Sequence, residues 1–206
     1  YLTGVEISVT FIGTTVHIVG LGFDADDAQL AQGLRATRGG RGERAQEISE
    51  QLAAAGIAGA YEGALRYVGN PALVSRAHFA RYLVEIGIAR DMPNVFDHYL
   101  VRGKPGFVEH EWASLEDALG WIHGAGGLAV IAHPGRTRLS KAEMLRLFDQ
   151  FKALGGEAIE VVSGSQAGDE ALEYARVARR YGFFASRASD FHGPGESPVD
   201  LGKAEI

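Results

Sequence analysis

Two side chains able to bind a metal lie two residues apart near the end of the chain, in the segment SDFHG. Asp190 and His192 follow the apolar run GFFAS, and Gly193 and Pro194 come directly after them. In an extended backbone, residues at i and i+2 point to the same face, so the two side chains are expected to share a ligand. A carboxylate with a neutral imidazole suits Mn²⁺, Zn²⁺, Fe²⁺ or Mg²⁺. An aspartate that caps a turn beside a loop histidine would show the same pattern.

A histidine also ends a second apolar run. His133 closes the segment LAVIAH, Pro134 and Gly135 force a turn, and Arg136 comes next. The planar guanidinium of arginine matches phosphate oxygens, so an arginine beside a metal-binding histidine predicts a phosphate ligand. A histidine that bonds a backbone carbonyl at a strand end is the alternative interpretation.

Glu6 stands in the middle of a predicted strand, GVEISVTF, with apolar residues on both sides. A charge there is costly unless it is paired or bound to metal, although a solvated face would remove that cost. If the hairpin turns at residues 13 and 14, His17 lies opposite Thr10. At roughly 3.4 Å per residue this places His17 about 13 Å from Glu6 along the strands. One metal shared by both residues then requires a bulge, curvature or a different turn.

The elements that carry these side chains predict an α/β fold. Residues 4–11 and 15–23 alternate as the two strands of a hairpin, and residues 115–190 alternate helix with strand. Strand and helix in strict turn predict parallel βαβ units with right-handed crossovers. Ligands of such folds bind where the carboxyl ends of the strands meet, which is where His133, Asp190 and His192 are expected.

Residues 25–110 have a different pattern, with alanine-rich helical segments broken by glycine. We predict a helical insertion there, inside a domain formed by residues 1–24 and 111–206. Because a strand begins almost at once after Tyr1, which is not a methionine, we expect the native chain to start further upstream.

Composition excludes several kinds of site and partner. The 206 residues include no cysteine, so a metal site must use His, Asp and Glu. The formal net charge of −6 argues against broad attraction to a nucleic-acid backbone, so an anionic substrate requires local positive charge or bound metal. No apolar run approaches the roughly 20 residues of a membrane span, and the first residues lack the features of a signal peptide. We expect a cytoplasmic protein with no membrane partner.

The segments GVEIS, VHIVGLG, AHPGR and SDFHG, in this order, resemble the PHP (polymerase and histidinol phosphatase) family of phosphoesterases. The helical part, with SRAHFARYLVE and GKPGFV, is similar to the members described as 3',5'-nucleoside bisphosphate phosphatases or RNase AM-like proteins. The resemblance covers essentially the whole chain. It implies a distorted (βα)7 TIM-like barrel, of which this chain lacks the opening strand that carries an HxH pair.

The resemblance further implies up to three divalent metal ions, with manganese expected and magnesium, zinc or iron as alternatives. The metal ligands would be Glu6, His17, His133, Asp190 and His192. Of these, Glu6, His133 and Asp190 would be the catalytic residues. Five ligands do not fill three metal shells of four to six positions each, so further ligands are expected upstream of Tyr1 if the intact protein is active.

On the substrate side, the resemblance implies that the helical insertion closes over a nucleotide. The substrate-binding residues would be Ser75, Arg76, His78, Lys104 and Arg136. The first three lie at a predicted helix start, where free amides favour an anion. Each of the three cationic side chains in this set would equally suit a solvated surface.

The implied reaction is hydrolysis of the 3'-phosphate of a nucleoside 3',5'-bisphosphate, with trimming of short oligoribonucleotides from the 5' end. Adenosine 3',5'-bisphosphate and AMP are the expected small-molecule partners, and no stable protein partner is implied. Two alternatives remain. One is another PHP phosphatase, such as one that acts on histidinol phosphate. The other is a nucleotide- or metal-binding module without turnover, like the degenerate PHP domains attached to polymerases.

Overall fold

The computed structural model describes residues 1–164, 168–193 and 199–204. These residues form an α/β fold around one five-stranded mixed sheet, in the order β1-β2-β3-β4-β5. The strands are β1 (Gly4–Phe11), β2 (Thr14–Leu21), β3 (Leu128–Ile131), β4 (Ala158–Ser163) and β5 (Phe184–Ala188). β2 pairs antiparallel with both β1 and β3, whereas β4 pairs parallel with β3 and β5. The sheet of the described residues does not close, so the predicted α/β class is confirmed but the barrel is not.

Helices connect the strands at the positions that the apolar periodicity predicts. The helices of the described residues are α1 (Ala28–Ala54), α2 (Ala60–Leu65), α3 (Arg76–Glu85), α4 (Met92–Val95), α5 (Leu115–Gly124), α6 (Lys141–Ala153) and α7 (Gly168–Tyr181). Serine side chains fix the starts of α5 and α6, because Ser114 accepts from the Asp117 amide and Ser140 from the Glu143 amide. None of the described helices is both long and apolar enough to cross a membrane.

The β1–β2 hairpin has a tight two-residue loop formed by Ile12 and Gly13. Both have positive φ, 49° and 69°, as a type I′ turn requires. Thr10 therefore pairs with Thr15, and Ser8 pairs with His17. The expectation that His17 lies opposite Thr10 was wrong, because the turn falls one residue earlier than residues 13 and 14.

The chain divides into two compact units, residues 1–33 with 111–206 and residues 34–110. The first unit has its core between the sheet and the helices α5 and α7, together with buried side chains of α6. That core includes Ile7, Val9, Ile18, Leu119, Ile122, Ile131, Leu147, Phe151 and Ile159, all almost fully buried. The polar residues of β1 and β2 face away from this core, which leaves that face of the hairpin for other contacts.

The second unit is helical and has a hydrophobic core of its own. Its buried members include Ile48, Leu52, Phe79, Leu83, Val95, Leu100 and Val108. A short π-helical turn, Phe96–Leu100, directly follows α4. That this unit acts as a substrate-capping domain stays a prediction.

Candidate metal centre

Glu6, His17 and His133 bring three metal-binding atoms together, and we call them the Glu6 cluster. Oε1 of Glu6 lies 2.7 Å from Nδ1 of His17 and 3.0 Å from Nε2 of His133. The two ring nitrogens are 3.2 Å apart, and the rings meet edge to face. One carboxylate and two imidazoles therefore surround a single point.

The hairpin register explains why the first two of these residues meet. Glu6 pairs with Val19 and Ser8 with His17, so Glu6 and His17 lie diagonally on the same face of adjacent strands. Diagonal neighbours are within reach of long side chains. The expected separation of about 13 Å was wrong because it assumed a later turn.

His133 reaches the cluster from the carboxyl end of β3. Its backbone has φ 26° and ψ 59°, close to the left-handed region that residues with a Cβ rarely adopt. The chain therefore leaves the strand sharply at His133 and continues into a short 3₁₀ turn, Pro134–Arg136. This bend is the turn that Pro134 and Gly135 predicted.

Electrostatics favour an ionised carboxylate in the cluster. Burial alone would raise the pKa of Glu6, but the hydrogen bonds from His133 and His17 outweigh it and hold the pKa well below its usual range. Burial disfavours the charged form of His133, yet the hydrogen bond and charge of Glu6 outweigh it and raise the pKa of His133. The site therefore concentrates negative charge on Glu6.

The cluster fits a divalent cation. Two ligand atoms at right angles, each about 2.1 Å from a cation, lie about 3.0 Å apart, and the three donor atoms here are separated by 2.7, 3.0 and 3.2 Å. A carboxylate with two imidazoles is also a common donor set for such ions. Within the described residues, Nδ1 of His133 is buried and has no hydrogen-bond partner, so its ring is fixed from the Nε2 side alone.

Asp190 and His192 lie outside the Glu6 cluster. β5 ends at Ala188, and Asp190 has a φ of 51°, so the two residues are not in the extended conformation that was expected. The Asp190 side chain is 14% exposed and forms an ion pair with Arg136. His192 is exposed, and its Nδ1 lies 2.8 Å from the Asp190 carbonyl oxygen. Asp190 is still close enough for its charge to raise the pKa of His133.

Glu160 is a buried carboxylate next to the cluster that the sequence motifs did not reveal. It lies within β4, is 5% exposed, and its Oε2 accepts a hydrogen bond of 2.7 Å from the His133 amide. Burial raises the pKa of Glu160, and the charges of Glu6 and Asp190 add to this effect. A lone glutamate inside the apolar segment AIEVVS was the available clue.

Four of the expected substrate-binding residues lie in the helical unit. His78 Nδ1 accepts the Ser75 amide at 3.0 Å, so these two residues cap the start of α3. Arg76 donates to the Leu100 carbonyl oxygen at 3.2 Å, and Lys104 is exposed. The fifth residue, Arg136, lies in the other unit, paired with Asp190.

Positive charge is concentrated around Arg76 in the helical unit. Burial lowers the pKa of Arg44 to about 10, with a further contribution from the guanidinium groups of Arg76 and Arg41. Burial also lowers the pKa of His110, and Arg44 and Arg41 add to this effect. Since like charges lower these pKa values only at short range, the side chains form one positive region.

Comparison with known proteins identifies relatives over the whole chain, although no protein-family model matches it. The chain is 53% identical over 205 residues to a 3',5'-nucleoside bisphosphate phosphatase from Chromobacterium violaceum, which covers 100% of this chain and 72% of the relative. It is 44% identical over 193 residues to the 5'-3' exoribonuclease Rnm of Escherichia coli K12, covering 94% of this chain and 66% of the relative.

Two solved structures are similar to this chain over nearly its whole length. A structure of an amidohydrolase from Chromobacterium violaceum, with bound sulfate and no metal, matches with a TM-score of 0.95 and 53% identity over 100% of this chain and 71% of that chain. A putative metal-dependent phosphoesterase from Bifidobacterium adolescentis matches with a TM-score of 0.83 and 25% identity, covering 98% of this chain and 71% of that chain. The chain therefore belongs to the PHP family of phosphoesterases, in the group that contains the 3',5'-nucleoside bisphosphate phosphatases and the Rnm exoribonucleases.

Proposed function

We propose that this protein is a metal-dependent phosphomonoesterase that removes the 3'-phosphate of nucleoside 3',5'-bisphosphates. The observation that carries the proposal is the Glu6 cluster, where one ionised carboxylate and two imidazoles converge at the carboxyl end of β3. The phosphatase relative supports the substrate, because it is 53% identical to this chain over 205 aligned residues. The exoribonuclease relatives favour a second activity, the 5'-to-3' trimming of short RNA.

Glu6, His17 and His133 would hold a divalent cation, and Asp190 and His192 would add ligands from the end of β5. Such a cation supplies a Lewis acid that activates water and offsets negative charge on the phosphoryl oxygens. We propose manganese, in up to three positions, with magnesium, zinc or iron as alternatives. The mixed carboxylate and imidazole donors support this choice of metals.

The protein's own residues have distinct roles in this proposal. Glu6 stays ionised because both imidazoles bond to its Oε1, so it presents a carboxylate at neutral pH. Arg136 orients Asp190 through their ion pair, and its exposed position leaves the guanidinium accessible to a phosphate. Glu6, His133 and Asp190 are the proposed catalytic residues.

We place the substrate's other contacts in the helical unit. Arg76 lies within the positive region that includes Arg44 and Arg41, which supports binding of an anion there. Ser75 and His78 define the start of the helix that carries Arg76, and exposed Lys104 adds charge. Adenosine 3',5'-bisphosphate, AMP and short oligoribonucleotides are the proposed partners. A (βα)7 barrel and a cytoplasmic location complete the proposal.

A phosphate-release assay with Mn²⁺ tests the proposal. The substrates are adenosine 3',5'-bisphosphate, AMP and histidinol phosphate, and the variants are Glu6→Gln and Asp190→Asn. We expect the bisphosphate to be the preferred substrate. The rate of each variant should fall at least about 100-fold, because loss of a group that only supports a metal ligand already costs up to about 100-fold. Glu157→Gln is the matched control, since Glu157 is a carboxylate of the same sheet region that bonds the Ala129 amide away from the cluster.

Other outcomes separate the alternatives. Preference for histidinol phosphate would identify a different PHP phosphatase. Nucleotide binding without phosphate release would indicate a binding module. Equal rates for the parent and Glu6→Gln would reject the proposed site.

A further inference from the structure

Glu160 occupies a costly position for a carboxylate. It is 5% exposed in a strand whose described residues are all buried. A buried carboxylate is tolerated when hydrogen bonds satisfy it, and Oε2 of Glu160 accepts a bond of 2.7 Å from the His133 amide. The bond links the middle of β4 to His133, two residues beyond the end of β3.

His133 adopts a backbone conformation that needs such support. With φ 26° and ψ 59° it is one of three non-glycine residues with positive φ in the described parts of the chain. Strained conformations persist where surrounding contacts over-determine them. The amide bonded by Glu160 belongs to this same residue, and this backbone directs the ring so that Nε2 lies 3.0 Å from Glu6 and 3.2 Å from His17.

The pairing of the strands places Glu160 where it can act on His133. Val130 pairs with Ala158 and Ile131 with Ile159, so one more step along the register brings Glu160 beside Ala132, immediately before His133. Glu160 also shares its face of the sheet with Ala158, two residues earlier. The carboxylate therefore meets the His133 amide from a fixed neighbouring strand.

We infer that Glu160 is a positioning residue, whose carboxylate holds the His133 backbone in the conformation that directs Nε2 into the Glu6 cluster. The inference rests on the proposed metal site and goes beyond it, because Glu160 itself contributes no atom to the cluster of three donors. Groups that orient a ligand in this way typically change metal affinity by 10- to 100-fold when they are removed.

A matched control exists on the same pair of strands. Glu157 Oε2 accepts the Ala129 amide at 2.9 Å at the start of β3, while Glu160 accepts the His133 amide just beyond its end. Both are carboxylate-to-backbone bonds between the β3 and β4 segments. A merely structural role predicts similar effects of removing either one, whereas positioning predicts that only Glu160 affects the cluster.

The experiment compares Glu160→Met, Glu160→Gln and Glu157→Met in the full chain. Methionine keeps the approximate volume and removes the acceptor, whereas glutamine keeps an acceptor oxygen. We expect the Mn²⁺ dissociation constant to rise about 10- to 100-fold in Glu160→Met and to stay within about threefold in the other two variants. In the metal-free protein, long-range ¹H–¹⁵N NMR of the His133 ring should shift in Glu160→Met and remain parent-like in Glu160→Gln.

The two readouts distinguish failure of this inference from failure of the metal site. If the parent binds no Mn²⁺, the metal site is rejected, and the metal-free ring signals still decide the role of Glu160. Parent-like signals and affinity in Glu160→Met would overturn the inference, as would an equal loss in Glu160→Gln or in Glu157→Met. Should Glu160→Met not fold, Glu160→Asp replaces it, because its carboxylate is one methylene too short to keep the bond.

Discussion

The ion pair between Arg136 and Asp190 joins a proposed phosphate-binding residue to a proposed metal ligand. Asp190 is largely buried, and Arg136 closes one side of its carboxylate while remaining half exposed. Arg136 is the last residue of the 3₁₀ turn that begins after His133, so the pair connects the segments that follow β3 and β5. A single arginine thereby links the two sequence motifs AHPGR and SDFHG.

Replacing Arg136 by glutamine should weaken the site from both sides. We expect the KM for adenosine 3',5'-bisphosphate to rise about 10- to 100-fold, because a hydrogen bond to a charged group contributes about 1.5–3 kcal/mol. Steady-state kinetics measures the change, with Arg138→Gln as the control, since Arg138 is exposed two residues further on. An equal effect of both variants would show that only net charge matters.

At the scale of the elements, Gly164 controls how closely β4 approaches the segment after β5. A Cβ at Gly164 would overlap the Ser189 carbonyl oxygen, a backbone atom that cannot move alone. Ser189 immediately precedes Asp190. The end of β4 therefore limits where the backbone at Asp190 can lie after β5.

Gly164→Ala should displace Asp190 without changing any charged group. We expect Mn²⁺-dependent phosphate release to fall at least about tenfold, since misplacement of a catalytic group by about 1 Å costs up to 100-fold. Gly182→Ala is a less suitable control because Gly182 has a φ of 65°, whereas Gly120→Ala adds a Cβ in open space. Unchanged activity in Gly164→Ala would mean that the Asp190 segment accommodates the methyl group and is not fixed by β4.

The elements were largely predictable, and their mutual placement was not. Alternation over residues 4–11 predicted β1 with the bounds that the structure has. The register of the hairpin depends on positive φ at Ile12, which a β-branched residue does not suggest. The contact between Glu160 and His133 joins residues 27 positions apart, so no local pattern contains it.

Tyr174 tests how α7 packs, because the residue is only 9% exposed. Burial raises the pKa of Tyr174 to about 12, with Glu173 and Glu170 adding to the effect. The unfolded chain loses this proton near pH 10 and the folded chain does not. The contribution of Tyr174 to stability is therefore constant below pH 10 and is lost as pH rises towards 12. Between pH 8 and 11.5, the free energy of unfolding of Tyr174→Phe should therefore fall by about 2 kcal/mol less than that of the parent. Urea titrations of both proteins at pH 8, 10 and 11.5 measure the difference, and parallel curves would contradict burial of the hydroxyl.

At the scale of the whole molecule, the proposed metal-binding and substrate-binding residues lie in two units with separate cores. The Glu6 cluster, Asp190 and Arg136 belong to residues 1–33 with 111–206, while Arg76 and the positive region belong to residues 34–110. Each unit has fully buried phenylalanine in its own core, Phe79 in the helical unit and Phe151 in α6. Cores that share no residues permit the two units to lose stability separately.

Phe79→Ala and Phe151→Ala should therefore destabilise different units of the protein. Each removes a buried ring and costs about 3–5 kcal/mol in the unit that contains it. Hydrogen exchange should accelerate mainly within residues 34–110 for Phe79→Ala, with Mn²⁺ affinity kept, and mainly within residues 111–164 for Phe151→Ala, with Mn²⁺ affinity reduced. Because both variants delete the same side chain, each is the control for the other. Uniform acceleration in both variants would show one cooperative unit, and the metal site would then depend on the helical core as much as on the sheet.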